Sequence, residues 1–126
     1  MTSAAPPRPV RVLVVEDDGP TGHALALLLK HHRYEVISAH SVAEAVGRLT
    51  SEPAPDAVLL DLMLPDGDGL KVLETIRQRR LPSQVTVITG VGDLERLECA
   101  MRLNPRAVLQ KPVDFPQILA QLPPAG

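Results

Sequence analysis

The sequence has few aromatic residues, one cysteine and no long apolar run. Aromatic residues make up 2 % of the 126 residues (Tyr34 and Phe115), which argues against the stacking surfaces that bind single-stranded nucleic acid. Because Cys99 is the single cysteine, an internal disulfide and a cysteine metal cluster are excluded. No run approaches the roughly 20 apolar residues of a membrane helix, and residues 1–9 lack the apolar centre of a signal peptide.

The charge has no dominant sign either. The 13 basic and 15 acidic residues give a net charge of -2, which argues against a direct nucleic-acid or anionic-membrane surface. Apolar residues make up 44 % of the chain, enough for the core of one domain. We therefore expect a single cytoplasmic domain over residues 10–122, with a flexible tail at 1–9 and a C-terminal tail or linker start at 123–126.

Short apolar segments alternate with segments of helical period. The predicted strands are 10–15, 34–39, 57–60, 85–89 and 107–109. The first helix is expected to bury a face with Leu25, Leu28 and Leu29, and Cys99 is expected to pack within the fourth helix. Residues expected to cap or begin helices are Ser41, Asp68, Asp93 and Asp114.

Alternating strands and helices predict an α/β fold, a parallel five-stranded sheet with helices on both faces. In such sheets, ligands bind at the carboxyl ends of the strands. Polar residues follow four of the predicted strands at that edge, and they are Glu16 and Asp17, Asp61, Thr89 with Gly90, and Lys111.

These residue types predict a particular chemistry if the four strand ends converge. The carboxylates of Glu16, Asp17 and Asp61 would repel one another, and oxygen ligands without Cys or His favour Mg²⁺ as the compensating cation. Lys111 and the Thr89 hydroxyl could each bind an oxygen of a phosphoryl group. The set is therefore expected to form a phospho-aspartate, with a carboxylate as nucleophile and a metal ion assisting.

Each residue alone has a simpler interpretation, since a single Asp after a strand is more often a helix cap or a solvated turn. The segment 66–69 (DGDG) resembles part of a calcium loop, but the EF-hand pattern fails because Leu62 or Leu64 would occupy its first position. The joint placement of acids, hydroxyl and lysine carries the prediction.

At these residues the sequence resembles the receiver domain of two-component response regulators, over roughly residues 10–122. The motifs are VLVVEDD (12–18), LLDLMLPDGDGL (59–70), VTVITG (85–90) and LQKP (109–112). The second is the most specific, because it aligns Asp61, Pro65, Asp68 and Gly69 at the family's spacing. The resemblance implies a flavodoxin-like (βα)₅ sandwich with strand order 2-1-3-4-5.

The resemblance also implies a role for each site residue. Asp61 would be the phosphate acceptor and a metal ligand, Asp17 a direct Mg²⁺ ligand, and Glu16 a ligand through water. The Met63 backbone carbonyl would be the remaining protein ligand, and Mn²⁺ could substitute for Mg²⁺.

Around the phosphoryl group, Thr89 with the neighbouring Gly90 would form the switch, and Lys111 would bind a phosphoryl oxygen. The Lys111–Pro112 bond would be cis. Two positions depart from the family pattern: Val108 replaces the usual aromatic switch residue, and Asn104 stands where a glycine turn is usual and could adopt its left-handed conformation. The glycine-rich segment 89–92 is expected to be a mobile switch loop.

The implied function is a phosphorylation-activated signalling switch. A sensor histidine kinase or histidine phosphotransfer protein would donate the phosphoryl group, and an unknown output partner would read the change. The domain, a monomer or weak dimer, would not be an enzyme beyond phosphorylating and dephosphorylating itself. A haloacid-dehalogenase-like phosphatase is disfavoured, because Met63 occupies the place of its second Asp and the length holds no cap domain. A degenerate receiver that only docks stays open because of Val108.

Overall fold

The computed structural model describes residues 8–51, 53–90 and 94–125. The strands are Arg11–Val15 (β1), Glu35–Ala39 (β2), Ala57–Asp61 (β3), Met63–Leu64 (β4), Gly67–Asp68 (β5), Gln84–Thr89 (β6) and Ala107–Gln110 (β7). The helices are Gly19–His31 (α1), Val42–Thr50 (α2), Leu70–Gln78 (α3), Leu94–Arg102 (α4) and Phe115–Leu119 (α5). Among the described residues, none of the helices is long and apolar enough to cross a membrane.

The main sheet is parallel, in the order β2-β1-β3-β6-β7. Because β4 and β5 form a separate two-stranded sheet, the order of the main sheet is the predicted 2-1-3-4-5, and the flavodoxin-like fold is confirmed. All five residues of the central strand β3 are buried, which explains why the segment reads as a continuous apolar run. The β4–β5 hairpin is not evident from the sequence, since two-residue strands leave no periodic signal.

The two faces of the sheet carry separate apolar cores, because alternate residues of a strand point to opposite sides. Leu13 and Val15 face the core shared with α2, α3 and α4. Val12 and Val14 face the core that contains Leu29 of α1 and Ile118 of α5. This layering leaves the carboxyl ends of the strands open at one edge.

Side chains cap several helices where the sequence predicted. Ser41 Oγ accepts from the Glu44 N–H at 3.1 Å, and Asp114 forms a reciprocal capping box with Gln117. The prediction for α3 was wrong by one residue. Its N-cap is Gly69, and the Asp68 carboxylate accepts from the Leu70 N–H at 2.9 Å. Asp93 lies outside the described residues, as do residues 1–7 and 126 of the predicted tails and residues 91–92 of the predicted switch loop.

Two predicted core residues are on the surface. Leu28 is 43 % exposed, because α1 turns Gly22, Ala26 and Leu29 toward the sheet instead. Cys99 is also exposed, and the buried residue of α4 is its neighbour Ala100. Small residues let both helices approach their neighbours closely, which a pattern of large apolar residues does not anticipate.

The turn before β7 follows the prediction made for it. Asn104 has a φ of 53°, the left-handed conformation that asparagine tolerates better than most residues. Near the chain ends, Arg8 lies 3.7 Å from Asp56, and the Tyr34 hydroxyl donates to the Pro123 carbonyl at 2.7 Å.

Candidate functional site

Three carboxylates meet where β1 and β3 end side by side. Oxygen atoms of Glu16, Asp17 and Asp61 all lie within 4.8 Å of one another. Glu16 and Asp61 are buried, whereas Asp17 is exposed. The predicted acidic cluster therefore exists, with two members beneath the surface and one at its mouth.

The Lys111 ammonium reaches this cluster from the end of β7. Its Nζ lies 2.9 Å from Oδ2 of Asp61 and 3.9 Å from Oε2 of Glu16. The Lys111 backbone N–H donates to the Thr89 carbonyl at 2.8 Å, and the Lys111–Pro112 bond is cis. The second oxygen of Asp61 accepts from the Met63 N–H at 2.9 Å, so both oxygens of this carboxylate are held.

Burial and neighbouring charges shift the pKa values of two groups in this cluster. Burial raises the pKa of the Glu16 carboxyl to about 7; the Asp18 N–H and Lys111 oppose this rise, and Asp61 adds to it. Burial alone would lower the pKa of Lys111, but its hydrogen bond to Asp61 and the nearby carboxylates raise it above its usual value. A cation more highly charged than one ammonium would suit this set of oxygens.

A glycine holds the backbone of the candidate acceptor in place. A Cβ on Gly69 would lie 2.7 Å from the Asp61 carbonyl oxygen and 2.8 Å from the Leu62 Cα. The Gly69 N–H also donates to the Leu62 carbonyl at 3.0 Å. The start of α3 therefore packs directly on the main chain that follows Asp61, and only glycine fits there.

The two acidic residues of the β4–β5 hairpin, Asp66 and Asp68, bond to helices and not to the cluster of Glu16, Asp17 and Asp61. Asp66 accepts from the N–H groups of Val42 and Ala43 at 2.7 and 3.1 Å, and these bonds hold its pKa below the usual range. Asp68 pairs with Arg96 of α4 at 3.3 Å. Both carboxylates of the hairpin are thus engaged by neighbouring helices.

Thr89 and Gly90 lie at the end of β6. This strand flanks β3 on the side opposite to β1, so the two residues and Glu16 are on different sides of Asp61. The Thr89 side chain is buried, and its hydroxyl donates to the Gly90 carbonyl at 3.4 Å. Both residues line a groove of about 440 Å³ against α4, which also contains Val108. The Thr89 hydroxyl is thus bonded to Gly90, whereas the Asp61 carboxylate is bonded by the Lys111 ammonium and the Met63 N–H.

A second cavity opens beside the acidic cluster. It has a volume of about 580 Å³, and Glu16 and Lys111 form its polar end. The apolar wall comes from α1, β6, the segment after β7 and α5; it consists of Leu25, Ile88, Pro112, Val113 and Ile118.

One contact of this site is not evident from the sequence. His40 follows β2, and its ring Nδ1 lies 3.0 Å from the Glu16 carbonyl oxygen. Since 24 residues separate the two partners, only the strand order brings them together.

Comparison with known proteins decides the family. The model of the response regulator receiver domain matches residues 12–123. The chain belongs to this family. Receiver domains act in two-component signalling, where an aspartate is phosphorylated, and the predicted resemblance is confirmed.

The similarities to individual proteins agree with the family. The receiver is 38 % identical over 111 residues to the acid tolerance regulatory protein ActR of Rhizobium meliloti (strain 1021); the match covers 88 % of this chain and 57 % of ActR. A receiver protein from Pseudomonas putida superposes with a TM-score of 0.84 at 30 % identity, covering 93 % and 97 % of the two chains. A response regulator from Burkholderia pseudomallei, solved with a phosphorylated aspartic acid, a calcium ion and citrate, has a TM-score of 0.80 at 26 % identity, covering 90 % and 66 %.

The donor set of this receiver fits a divalent metal ion. Glu16, Asp17 and Asp61 offer only oxygen ligands, which hard cations prefer. Burial is the main cause of the raised pKa of Glu16, and the neighbouring Asp61 carboxylate adds to it.

Proposed function

We propose that this receiver is a phosphorylation-activated switch in which Asp61 accepts a phosphoryl group in the presence of Mg²⁺. The observation that best supports this proposal is that the Lys111 ammonium lies 2.9 Å from the buried Asp61 carboxylate. Carboxylate oxygens of Glu16 and Asp17 lie close enough to Asp61 to share one metal ion with it. This arrangement supports the proposal, because a buried carboxylate, an ammonium and two further carboxylates lie together.

In the proposed step, an oxygen of Asp61 attacks the phosphorus of a phosphohistidine. An O–P bond forms as the N–P bond breaks, and the electron pair of the broken bond stays with the departing imidazole nitrogen. Lys111 binds an oxygen of the transferred group and stabilises its charge. Hydrolysis of the resulting acyl phosphate by water resets the site, so the receiver acts only on itself.

Three residues besides Asp61 would hold the metal ion: Asp17 directly, Glu16 through water, and Met63 through its carbonyl. The ion supplies charge neutralisation for the transferred group when it is bound. Mn²⁺ shares the preference for oxygen ligands and is expected to substitute.

The switch requires a change at Thr89, whose hydroxyl in this structure bonds to Gly90. We infer that Thr89 rotates toward the phosphoryl group and that the groove against α4 changes shape. Val108 has no ring to follow that movement, so a direct shift of Gly90 and of α4 replaces the aromatic rotation usual in the family. A sensor kinase or phosphotransfer protein is the proposed donor, and the partner that reads the change is of unidentified class.

Incubation with acetyl phosphate and Mg²⁺, followed by intact-mass measurement, tests the proposal. We expect one phosphoryl adduct on the receiver and none on Asp61→Asn. Asp56→Asn is the matched control, because Asp56 precedes the same strand β3 at its opposite end and should leave the adduct intact. The absence of an adduct, or its survival in Asp61→Asn, would contradict the proposal.

Beryllofluoride, which mimics a phosphoryl group on aspartate, provides a second test. Amide signals near Thr89 and Lys111 should shift only when Mg²⁺ is also present. Shifts of equal size without Mg²⁺ would mean that the metal assignment of Asp17 is wrong.

A further inference from the structure

The Glu16 peptide group is held on both sides by the end of the edge strand. Its N–H donates to the Ala39 carbonyl at 3.1 Å, and its carbonyl oxygen lies 3.0 Å from the His40 Nδ1. Because a carbonyl oxygen can only accept, the Nδ1 atom has to carry the proton in this contact. The first of these bonds continues the β1–β2 pairing, whereas the second depends on the identity of residue 40.

This contact bears on the cluster through the next residue. The peptide unit between Glu16 and Asp17 is planar, so fixing its oxygen fixes the direction in which Asp17 leaves the strand. The side chain of Glu16 is held separately, since its Oε1 accepts from the Asp18 N–H at 3.2 Å. His40 therefore constrains the main chain from which both carboxylates project.

The same short segment also contacts the other half of the site. The His40 N–H donates to the Glu44 carboxylate at 3.2 Å, which attaches residue 40 to the first turn of α2. At that helix start, Val42 and Ala43 donate to Asp66 of the hairpin, and the hairpin begins at Met63. Residues 40–43 thus connect the segment of Glu16 and Asp17 with the segment that follows Asp61.

We propose that His40 is a positioning residue of the metal site: its Nδ1–H holds the Glu16–Asp17 peptide so that both carboxylates converge with Asp61 on the cation. The inference rests on the proposed function, because it concerns the same Mg²⁺ site. His40 acts through the main chain and contacts none of the reacting atoms, so it is not a catalytic residue.

Magnesium titration of the full chain, followed by amide shifts at Glu16 and Asp17, tests this role. Outer-shell partners of metal ligands typically contribute 10- to 100-fold in affinity, and we expect His40→Ala to weaken Mg²⁺ binding by about 10-fold. His40→Asn should restore most of the affinity, since its amide N–H lies as many bonds from the backbone as Nδ1 does. His32→Ala is the matched control, because the His32 Nδ1 bonds the Leu28 carbonyl at 2.9 Å away from the site; its affinity should be unchanged.

A metal-free measurement tests the contact itself. In a long-range ¹⁵N–¹H spectrum recorded at alkaline pH, His40 should be the Nδ1–H tautomer, because the Glu16 carbonyl requires a donor. An Nε2–H tautomer would overturn the inference.

The two proposals fail in different ways. If the wild type binds Mg²⁺ and His40→Ala binds it equally well, or if His40→Asn is as weak as His40→Ala, the role of His40 is wrong and the proposed function stands. If the wild type binds no Mg²⁺, both proposals are wrong.

Discussion

The Lys111 Nζ and the Asp61 Oδ2 lie 2.9 Å apart, although β6 lies between β3, which ends at Asp61, and β7, which precedes Lys111. The lysine spans the intervening strand and supplies the counter-charge of the buried Asp61 carboxylate. A phosphoryl group on Asp61 would then lie beside the Lys111 ammonium, which is already in place. Little rearrangement of charged side chains would accompany phosphorylation.

Loss of this ammonium should slow phosphorylation. We expect Lys111→Met to reduce the rate of adduct formation from acetyl phosphate by roughly 100-fold, the typical effect of removing one charge-stabilising donor. Lys71→Met is a suitable control, because Lys71 is exposed on α3. A time course by intact mass measures both rates, and equal rates would show that Lys111 does not bind the transferred group.

Substitution by alanine should change the free energy of unfolding differently at two glycines. Gly69→Ala should lower the free energy of unfolding by about 1–3 kcal/mol, as overpacking does, because its Cβ would meet the Asp61 main chain at 2.7 Å. Gly22→Ala should be neutral or stabilising by up to about 1 kcal/mol, since its Cβ meets Glu16 at 3.6 Å and alanine favours a helix. Urea unfolding of both variants checks this, and a stable Gly69→Ala would show that the α3 start can move.

The raised pKa of Glu16 predicts a pH dependence of stability without metal. The folded state binds the proton of the Glu16 carboxyl more tightly than the unfolded state does, because the pKa of this carboxyl is near 4.5 when the chain is unfolded. The Glu16 contribution should therefore fall as pH rises from about 4.5 to about 7, by up to about 3 kcal/mol, and stay constant above that.

Unfolding of the wild type and of Glu16→Gln in EDTA measures this dependence as the difference between the two proteins. Saturating Mg²⁺ should reduce the decline, because a bound cation favours the carboxylate. A difference that stays flat from pH 4.5 to 7 would mean that Glu16 titrates at its ordinary pKa.

Arg96 should couple α4 to the site. It pairs with Asp68 at 3.3 Å and donates to the Met63 sulfur at 2.7 Å, and the Met63 N–H bonds Asp61. We expect Arg96→Ala to reduce the beryllofluoride-induced shifts of α4 amides while those of Lys111 persist. Arg102→Ala, at the far end of the same helix, is the control. Unchanged α4 shifts in Arg96→Ala would show that the signal reaches the helix by another route.

The sequence predicted those parts of the receiver that local patterns encode. Ser41 and Asp114 were identified as caps because capping depends on residues within three positions, and Asn104 because few residues adopt a positive φ. The strand ends converged as expected because parallel topology places them at one edge. The predicted burial of Leu28 and Cys99 was wrong, since burial depends on which face a helix turns to the sheet. The contact of His40 with Glu16 depends on strand order and on one side-chain rotamer, and no local pattern encodes either.

The place of β2 at the edge of the sheet has a consequence for local unfolding. Edge strands open more readily than central ones, and this one ends in the residues that hold the Glu16 peptide. When β2 detaches, that peptide loses both of its restraints, although the strand β3 that ends at Asp61 stays intact. Cation binding should therefore slow hydrogen exchange in β2, two strands away from Asp61, and an edge strand of the sheet would report on the occupancy of the site.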